Sequence, residues 1–117
     1  MKPKKHIDYY PGTKKIYREF YKLNGKRHRE NGPAMIWYYE NGNIEIEEYY
    51  INDEYHREDG PAYIRYYKNG NISNERYCIN DKYLTKQEFD KYIRKRDSKI
   101  FDKLLEEMAN GTDINSI

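Results

Sequence analysis

Two short runs hold the residue types that chemistry would use. "HRENGPAMI" spans His28 to Ile36, and "HREDGPAYI" spans His56 to Ile64. A histidine beside a carboxylate is the raw material of general acid–base work. An arginine offers a planar fork that grips a phosphate through two parallel bonds. Trp37, Tyr39 and Tyr67 follow these runs, and such rings stack on bases. With Arg65 they complete a candidate binding set: His28, Arg29, His56, Arg57, Trp37, Tyr39, Arg65 and Tyr67. A nucleotide is the small ligand this set suits.

Catalysis and metal binding are poorly supplied. The three histidines are His6, His28 and His56, and none stands in an HxH or HxxxH spacing. Cys78 is the single cysteine, so neither a disulfide within the chain nor a cysteine metal cluster is expected. Ser73, Ser98 and Ser116 have no neighbouring base to activate them. The chain therefore reads as a non-enzyme with no catalytic residue, no metal and no cofactor.

The elements that would position the candidate residues repeat. Aligning His28–Tyr55 with His56–Tyr83 gives 19 identities in 28 positions. A degenerate copy precedes them, "KIYREFYKLNGK" at Lys15 to Lys26. The turn signals Asn41-Gly42 and Asn69-Gly70 predict type I′ hairpins. Asn24-Gly25, Asn52-Asp53 and Asn80-Asp81 close each unit. Gly32-Pro33 and Gly60-Pro61 punctuate strand starts, where a proline needs no ladder donor. Each unit thus predicts two main strands and a shorter third, antiparallel to one another.

Strand parity marks the packed side. Ala34, Ile36 and Tyr38 share a face and recur as Ala62, Ile64 and Tyr66. Met35, Trp37 and Tyr39, then Tyr63, Arg65 and Tyr67, form the variable face, with the composition of an interface. Ile16, Ile44 and Ile72 fall out of phase, which requires either packing on the second face or a bulge. Glu19 and Glu47 recur on the apolar face in step with the His-Arg pairs. A buried carboxylate needs a partner, so structural ion pairs of Glu19 with His28 or Arg29, and of Glu47 with His56 or Arg57, are expected. Cys78 replaces Tyr50 of the earlier unit and reads as a packing residue.

Period 28 stops at Leu84-Thr85. "TKQE", Thr85 to Glu88, is a capping-box pattern. Phe89, Tyr92, Ile93, Ile100, Phe101, Leu104, Leu105 and Met108 behind it recur at helical steps. The predicted organisation is a basic arm over 1–8, a hairpin-repeat region over 9–84, a helix over 85–110 ending at Asn110-Gly111, and a tail over 111–117. The helix is expected to cap the sheet or to bind a partner, with a bend near Asp97-Ser98. The arm, Lys2 to His6, reads as a frayed soluble tail.

The HRE-x-GPA units resemble the MORN-like, or MORN-variant, repeats of viral and phage proteins. That resemblance implies stacked tyrosine-rich hairpins in an elongated sheet. It covers about Tyr9 to Tyr83. The Asn, Ile, Lys and Tyr bias also looks like that of an AT-rich genome, such as that of a large DNA virus or phage.

Composition bounds the rest. Among 117 residues, 22 are basic and 20 acidic, for a net charge of +2, with both signs interspersed. Duplex nucleic acid is a poor partner, since Glu45, Glu47, Glu48 and Glu54 repel phosphates. Mean hydropathy is −1.29, and no apolar run is long enough for a membrane span. Fifteen tyrosines argue against disorder. The expected class is mainly β: antiparallel hairpin repeats closed by a C-terminal helix, in a cytoplasmic protein, within a host cell if the source is viral. The expected function is protein–protein interaction or assembly, with homo-oligomers through sheet edges or the helix. The rival is a module that sequesters a nucleotide signal, in the manner of small anti-defence proteins.

Overall fold

The computed structural model describes residues 1–115, with side chains through 110. It divides into a unit of residues 1–85 and a second beginning at Lys86. The first is mainly β. Its strands are β1 (Lys4–Tyr9), β2 (Ile16–Leu23), β3 (Lys26–Arg27), β4 (Met35–Tyr38), β5 (Ile44–Glu48), β6 (Tyr50–Ile51), β7 (Glu54–Tyr55), β8 (Tyr63–Tyr66), β9 (Ile72–Ile79) and β10 (Lys82–Leu84). The main sheet is antiparallel and open, in the order β1-β2-β4-β5-β8-β9-β10, with β3 on β2. β6 and β7 form a small second sheet.

The repeat governs the backbone bond by bond. The Tyr21 N–H donates to Ala34 O, and the Tyr49 N–H to Ala62 O. Ala34 N–H bonds Glu48 O, and Ala62 N–H bonds Arg76 O. Asp53 N–H bonds Arg27 O, and Asp81 N–H bonds Tyr55 O. Each pair of bonds is one period apart, so a sequence repeat has become a repeat of the hydrogen-bond ladder.

The two turn classes exchange roles relative to expectation. Asn24 and Gly25, Asn52 and Asp53, and Asn80 and Asp81 all have positive φ at both central positions. These are the tight two-residue turns of the I′ kind. At Asn41-Gly42 and Asn69-Gly70 only the glycine does, at φ 89° and 93°. There the Gly42 N–H bonds Tyr39 O and the Tyr39 N–H bonds Asn43 O. This is a three-residue loop, a type I turn followed by a left-handed glycine. Asn41 Oδ1 accepts the Asn43 N–H at 2.9 Å, a local bond that favours the longer loop.

A bulge resolves the out-of-phase isoleucines. Pairing slips by one residue where Tyr9 meets Ile16, Tyr38 meets Ile44 and Tyr66 meets Ile72. The slip turns each isoleucine toward the repeating face. That face carries the core as expected, with Ala34, Ile36, Ala62 and Ile64 buried. Across five strand pairs it reads Ile7, Glu19, Ile36, Glu47, Ile64, Glu75, each directly opposite the next.

The N-terminal arm is a correction. Residues 1–8 are not a frayed tail: β1 pairs with β2 from Lys4 onward. Ile7-Asp8-Tyr9-Tyr10 repeats the pattern of Ile36-Trp37-Tyr38-Tyr39 and Ile64-Arg65-Tyr66-Tyr67. The repeat region thus begins at β1, as the first strand of a degenerate unit. His6 stacks on Phe20 at 4.9 Å and Asp8 pairs with Arg18, which fixes the strand in place.

The second unit is a helix, α1 (Lys86–Asn115). Thr85 stands just before it, where the capping pattern places it. The helix runs without a break through Asp97-Ser98 and past Asn110-Gly111, the expected stop. A glycine costs a helix about 1 kcal/mol relative to alanine but does not forbid it. Residues 116 and 117 of the expected tail lie outside the described residues. No helix among the described residues is long and apolar enough to cross a membrane.

Candidate functional site

Each His-Arg pair sits in a loop that crosses from one hairpin to the next. The His28 N–H bonds Tyr21 O of the preceding unit, and the Arg29 N–H bonds Tyr50 O of its own. His28 Nδ1 accepts the Asn52 N–H at 3.1 Å, and His56 Nδ1 accepts the Asn80 N–H at 3.0 Å. An Nδ1 that accepts carries no proton, so each ring's proton sits on Nε2. Nε2 faces Glu30 in His28, at 3.7 Å, and Glu58 in His56, at 3.3 Å. The histidines are therefore clasps on the tight turn that closes their own unit. His28 is one of two buried polar residues among the described residues.

The arginines are held as firmly. Arg29 Cζ lies 4.1 Å from the centre of the Tyr21 ring, and Arg57 Cζ lies 4.0 Å from that of Tyr49. Nη1 of Arg29 donates to Pro33 O at 3.2 Å, and Nη1 of Arg57 donates to Pro61 O at 3.1 Å. Their other flank is closed by glycine. A Cβ on Gly32 would stand 3.1 Å from Arg29 Cζ, and one on Gly60 only 2.9 Å from Arg57 Cζ. Each guanidinium is thus sandwiched between a tyrosine face and a bare Cα. Arg57 Nε also donates to Asp59 at 2.8 Å.

The expected Glu–Arg ion pairs are replaced by Glu–Tyr pairs. The Tyr66 hydroxyl donates to Glu47 in a short bond. Tyr38 stands beside Glu19 in the same way, and the Glu19 carboxylate also lies 3.8 Å from Lys5 Nζ. Among the described residues, no ion pair joins Glu19 or Glu47 to a His-Arg pair. The reason is register: Tyr38 and Tyr66 stand two positions along the strand from the isoleucines opposite these glutamates, on the same face. Burial first, and the adjacent carboxylate second, push the hydroxyl pKa of Tyr38 up; burial and the bond to Glu47 do the same for Tyr66.

The aromatic half of the candidate set lies on the opposite face. Trp37 has the parity opposite to Ile36, and Arg65 that opposite to Ile64; Ile46 pairs with both, so the two are separated by one strand. Trp37 Nε1 donates to Glu48 at 2.9 Å, and Arg18 and Tyr17 pack against its ring. The Tyr39 hydroxyl donates to Tyr66 O at 2.7 Å. Arg65 lies 3.9 Å from Glu45 and is exposed. Tyr67 is 57% exposed. The structure therefore brings the two His-Arg pairs onto the Ile–Glu face and leaves Trp37 and Arg65 on the other.

One site escaped the sequence reading. Glu48 is buried and accepts three hydrogen bonds, from Trp37 Nε1, the Tyr50 hydroxyl at 2.9 Å and the Tyr55 hydroxyl in a short bond. Burial and these bonds push the Tyr50 hydroxyl pKa far up and that of Tyr55 up to about 12. Arg27 Cζ stacks 4.0 Å over Tyr50 and pairs with Asp53. Three donors on one buried carboxylate make a structural knot that ties β4, β5 and the small second sheet together. Its equivalents are Phe20 and Arg76, so the repeat itself concealed it. Cys78, at the place of Tyr50, is buried, and burial pushes its thiol pKa up, away from the reactive thiolate.

No protein-family model matches the chain, and no curated protein or solved structure is detectably similar to it.

Proposed function

We propose that this chain is a non-enzymatic β-repeat module that works by associating with other protein chains. The observation that carries this reading is the placement of the candidate binding residues. His28, Arg29, His56 and Arg57 each have a ring or guanidinium nitrogen bonded to backbone within the β unit. Trp37 and Arg65 lie on the opposite face, so the guanidiniums of Arg29 and Arg57 do not share a surface with the Trp37 ring. What remains accessible is suited to protein: Tyr9, Tyr67 and Tyr83 on the β unit, and Ile100, Phe101, Leu104 and Leu105 on α1 are all about half exposed or more. Tyrosine and clustered aliphatic side chains are the common currency of protein interfaces. The likeness to MORN-variant repeats, and a viral, host-directed setting, belong to this same reading.

Calorimetry with a panel of mono-, di- and cyclic nucleotides tests it. No heat of binding is expected. Saturable binding of a nucleotide that is lost in Arg57→Ala, with the fold retained by circular dichroism, would overturn the reading in favour of nucleotide sequestration.

A further inference from the structure

The two ends of the sheet are complementary halves of the junction that joins its units. Within the chain, each junction sets a glutamate strand beside the next isoleucine–tyrosine strand: β2 beside β4, and β5 beside β8. Glu19 stands opposite Ile36, and Glu47 opposite Ile64. Side-chain contacts seal each one. A tyrosine of the incoming strand meets the glutamate: Tyr66 donates to Glu47, and Tyr38 holds the same place beside Glu19. A tyrosine of the outgoing unit donates to that incoming tyrosine's carbonyl: Tyr10 to Tyr38 O at 2.6 Å, Tyr39 to Tyr66 O at 2.7 Å.

β9 presents the outgoing half with no incoming strand. It pairs with β8 along Ile72–Arg76, while its other flank is paired only at Tyr77–Ile79, by β10. Ile72 is 51% exposed, and the next four residues are exposed as well. The Arg76 carbonyl bonds inward to Ala62, so alternation turns the Glu75 N–H and C=O to the unpaired flank. Tyr67, the equivalent of Tyr39, is exposed where Tyr39 is bonded. At the other end, β1 presents the incoming half. Its Ile7-x-Tyr9 matches Ile36-x-Tyr38, and Tyr9 is 53% exposed where Tyr38 and Tyr66 are half-buried. Tyr21 bonds toward β4, so Phe20 bonds toward β1, and Ile7 is turned outward.

We propose that the chain assembles head to tail with copies of itself, β1 of one copy adding to the β9 flank of the next. This rests on the reading above and names its partner. The register follows from the internal junctions: Glu75 opposite Ile7 of the added copy, the Tyr9 hydroxyl on Glu75, and the Tyr67 hydroxyl on Tyr9 O. The contact joins two different surfaces, so it does not close on itself after one step and generates a ladder of oligomers.

Proline scanning of the two flanks tests it by sedimentation velocity over a concentration series. Ile7→Pro removes an outward N–H and spares the bonds from β1 to β2; Glu75→Pro does the same at the other end. The wild type is expected to form dimers, trimers and longer species as concentration rises. Each proline variant alone is expected to be monomeric. An equal mixture of the two is expected to stop at dimers, because only one junction can form. Tyr67→Phe with Glu75→Gln, which leaves the backbone untouched, is expected to weaken assembly about tenfold. A wild type monomeric at every concentration overturns the junction and leaves association with a different protein standing. Oligomers that persist in both proline variants, or a mixture that elongates, overturn it too, since the contact must then lie elsewhere.

Discussion

At the scale of single residues, the motif that looked most like an active site is a set of fasteners. Arg57 is fixed by the Tyr49 face, the Pro61 carbonyl and the absence of a Cβ on Gly60. Gly60→Ala pushes the guanidinium off its ring. It is expected to cost about 1 kcal/mol, the size of an exposed cation–π contact with its hydrogen bond. In an Arg57→Ala background the same change is expected to be neutral or slightly stabilising, because the clash is gone and alanine restricts the unfolded chain. A double-mutant cycle in urea reads the coupling; additive effects would contradict the sandwich. Glu48→Gln replaces one acceptor oxygen with a donor facing hydroxyls. It is expected to cost about 1–3 kcal/mol in the same assay. The tyrosines around Glu48 also fix the alkaline limit. Tyr55 rises from 10.0 to about 12 on folding. Its neutral form is favoured in the fold, so its contribution is complete below pH 10 and is lost as pH climbs toward 12. Tyr38, Tyr50 and Tyr66 shift the same way. Tyrosinate absorbance and loss of circular dichroism should therefore rise together in that window. A spectrum whose last tyrosines have titrated by pH 10 with the fold intact would contradict it.

At the scale of elements, turns set the register. Asn52 holds φ 48° and Asp53 φ 68°, and Asp53 Oδ1 caps the Arg27 N–H at 2.8 Å. Asn52→Ala removes the short polar side chain that lets asparagine tolerate the left-handed region and is expected to cost about 1 kcal/mol. Asn52→Gly is expected to stay within about 0.5 kcal/mol, since glycine adopts the same backbone freely. Thermal melts of the two variants distinguish them. This is also where the sequence was most and least readable. The 28-residue period, the strand parity of Ala34, Ile36 and Tyr38, and the helix start at Thr85 were plain, because each is a local pattern. The turn classes were exchanged because Asn-Gly suits both a two-residue and a three-residue loop, and Asn41 Oδ1 chooses the latter. The partners of Glu19 and Glu47 were missed because step-wise recurrence tells which residues repeat, not which of them the register sets beside each glutamate. Glu48 was missed because a residue that breaks the repeat leaves no period to notice. β1 was legible in Ile7-Asp8-Tyr9-Tyr10, but three lysines and a histidine before it outweighed a four-residue echo.

At the scale of the whole molecule, the repeat unit does the folding and the two boundary strands bear its incompleteness. Inner strands β4, β5 and β8 have neighbours on both flanks; β1 and the first half of β9 have one. Amide exchange should follow that division. At low concentration Glu47 and Ile64 are expected to exchange far more slowly than Glu75 and Ile7, whose amides face water. Raising the concentration should slow Glu75 and Ile7 alone, in step with one another. Equal protection at all four positions would contradict the open-flanked sheet.

The one-period recurrence of the backbone bonds has a genetic corollary. A recombination slip that copies or deletes a whole His-to-Tyr unit leaves every clasp, bulge and turn in phase, because each bond reaches only to the adjacent unit. A slip of any other length breaks those that span it. Length in such a protein is therefore inherited in whole steps, and a longer or shorter sister chain is expected to keep the same two ends.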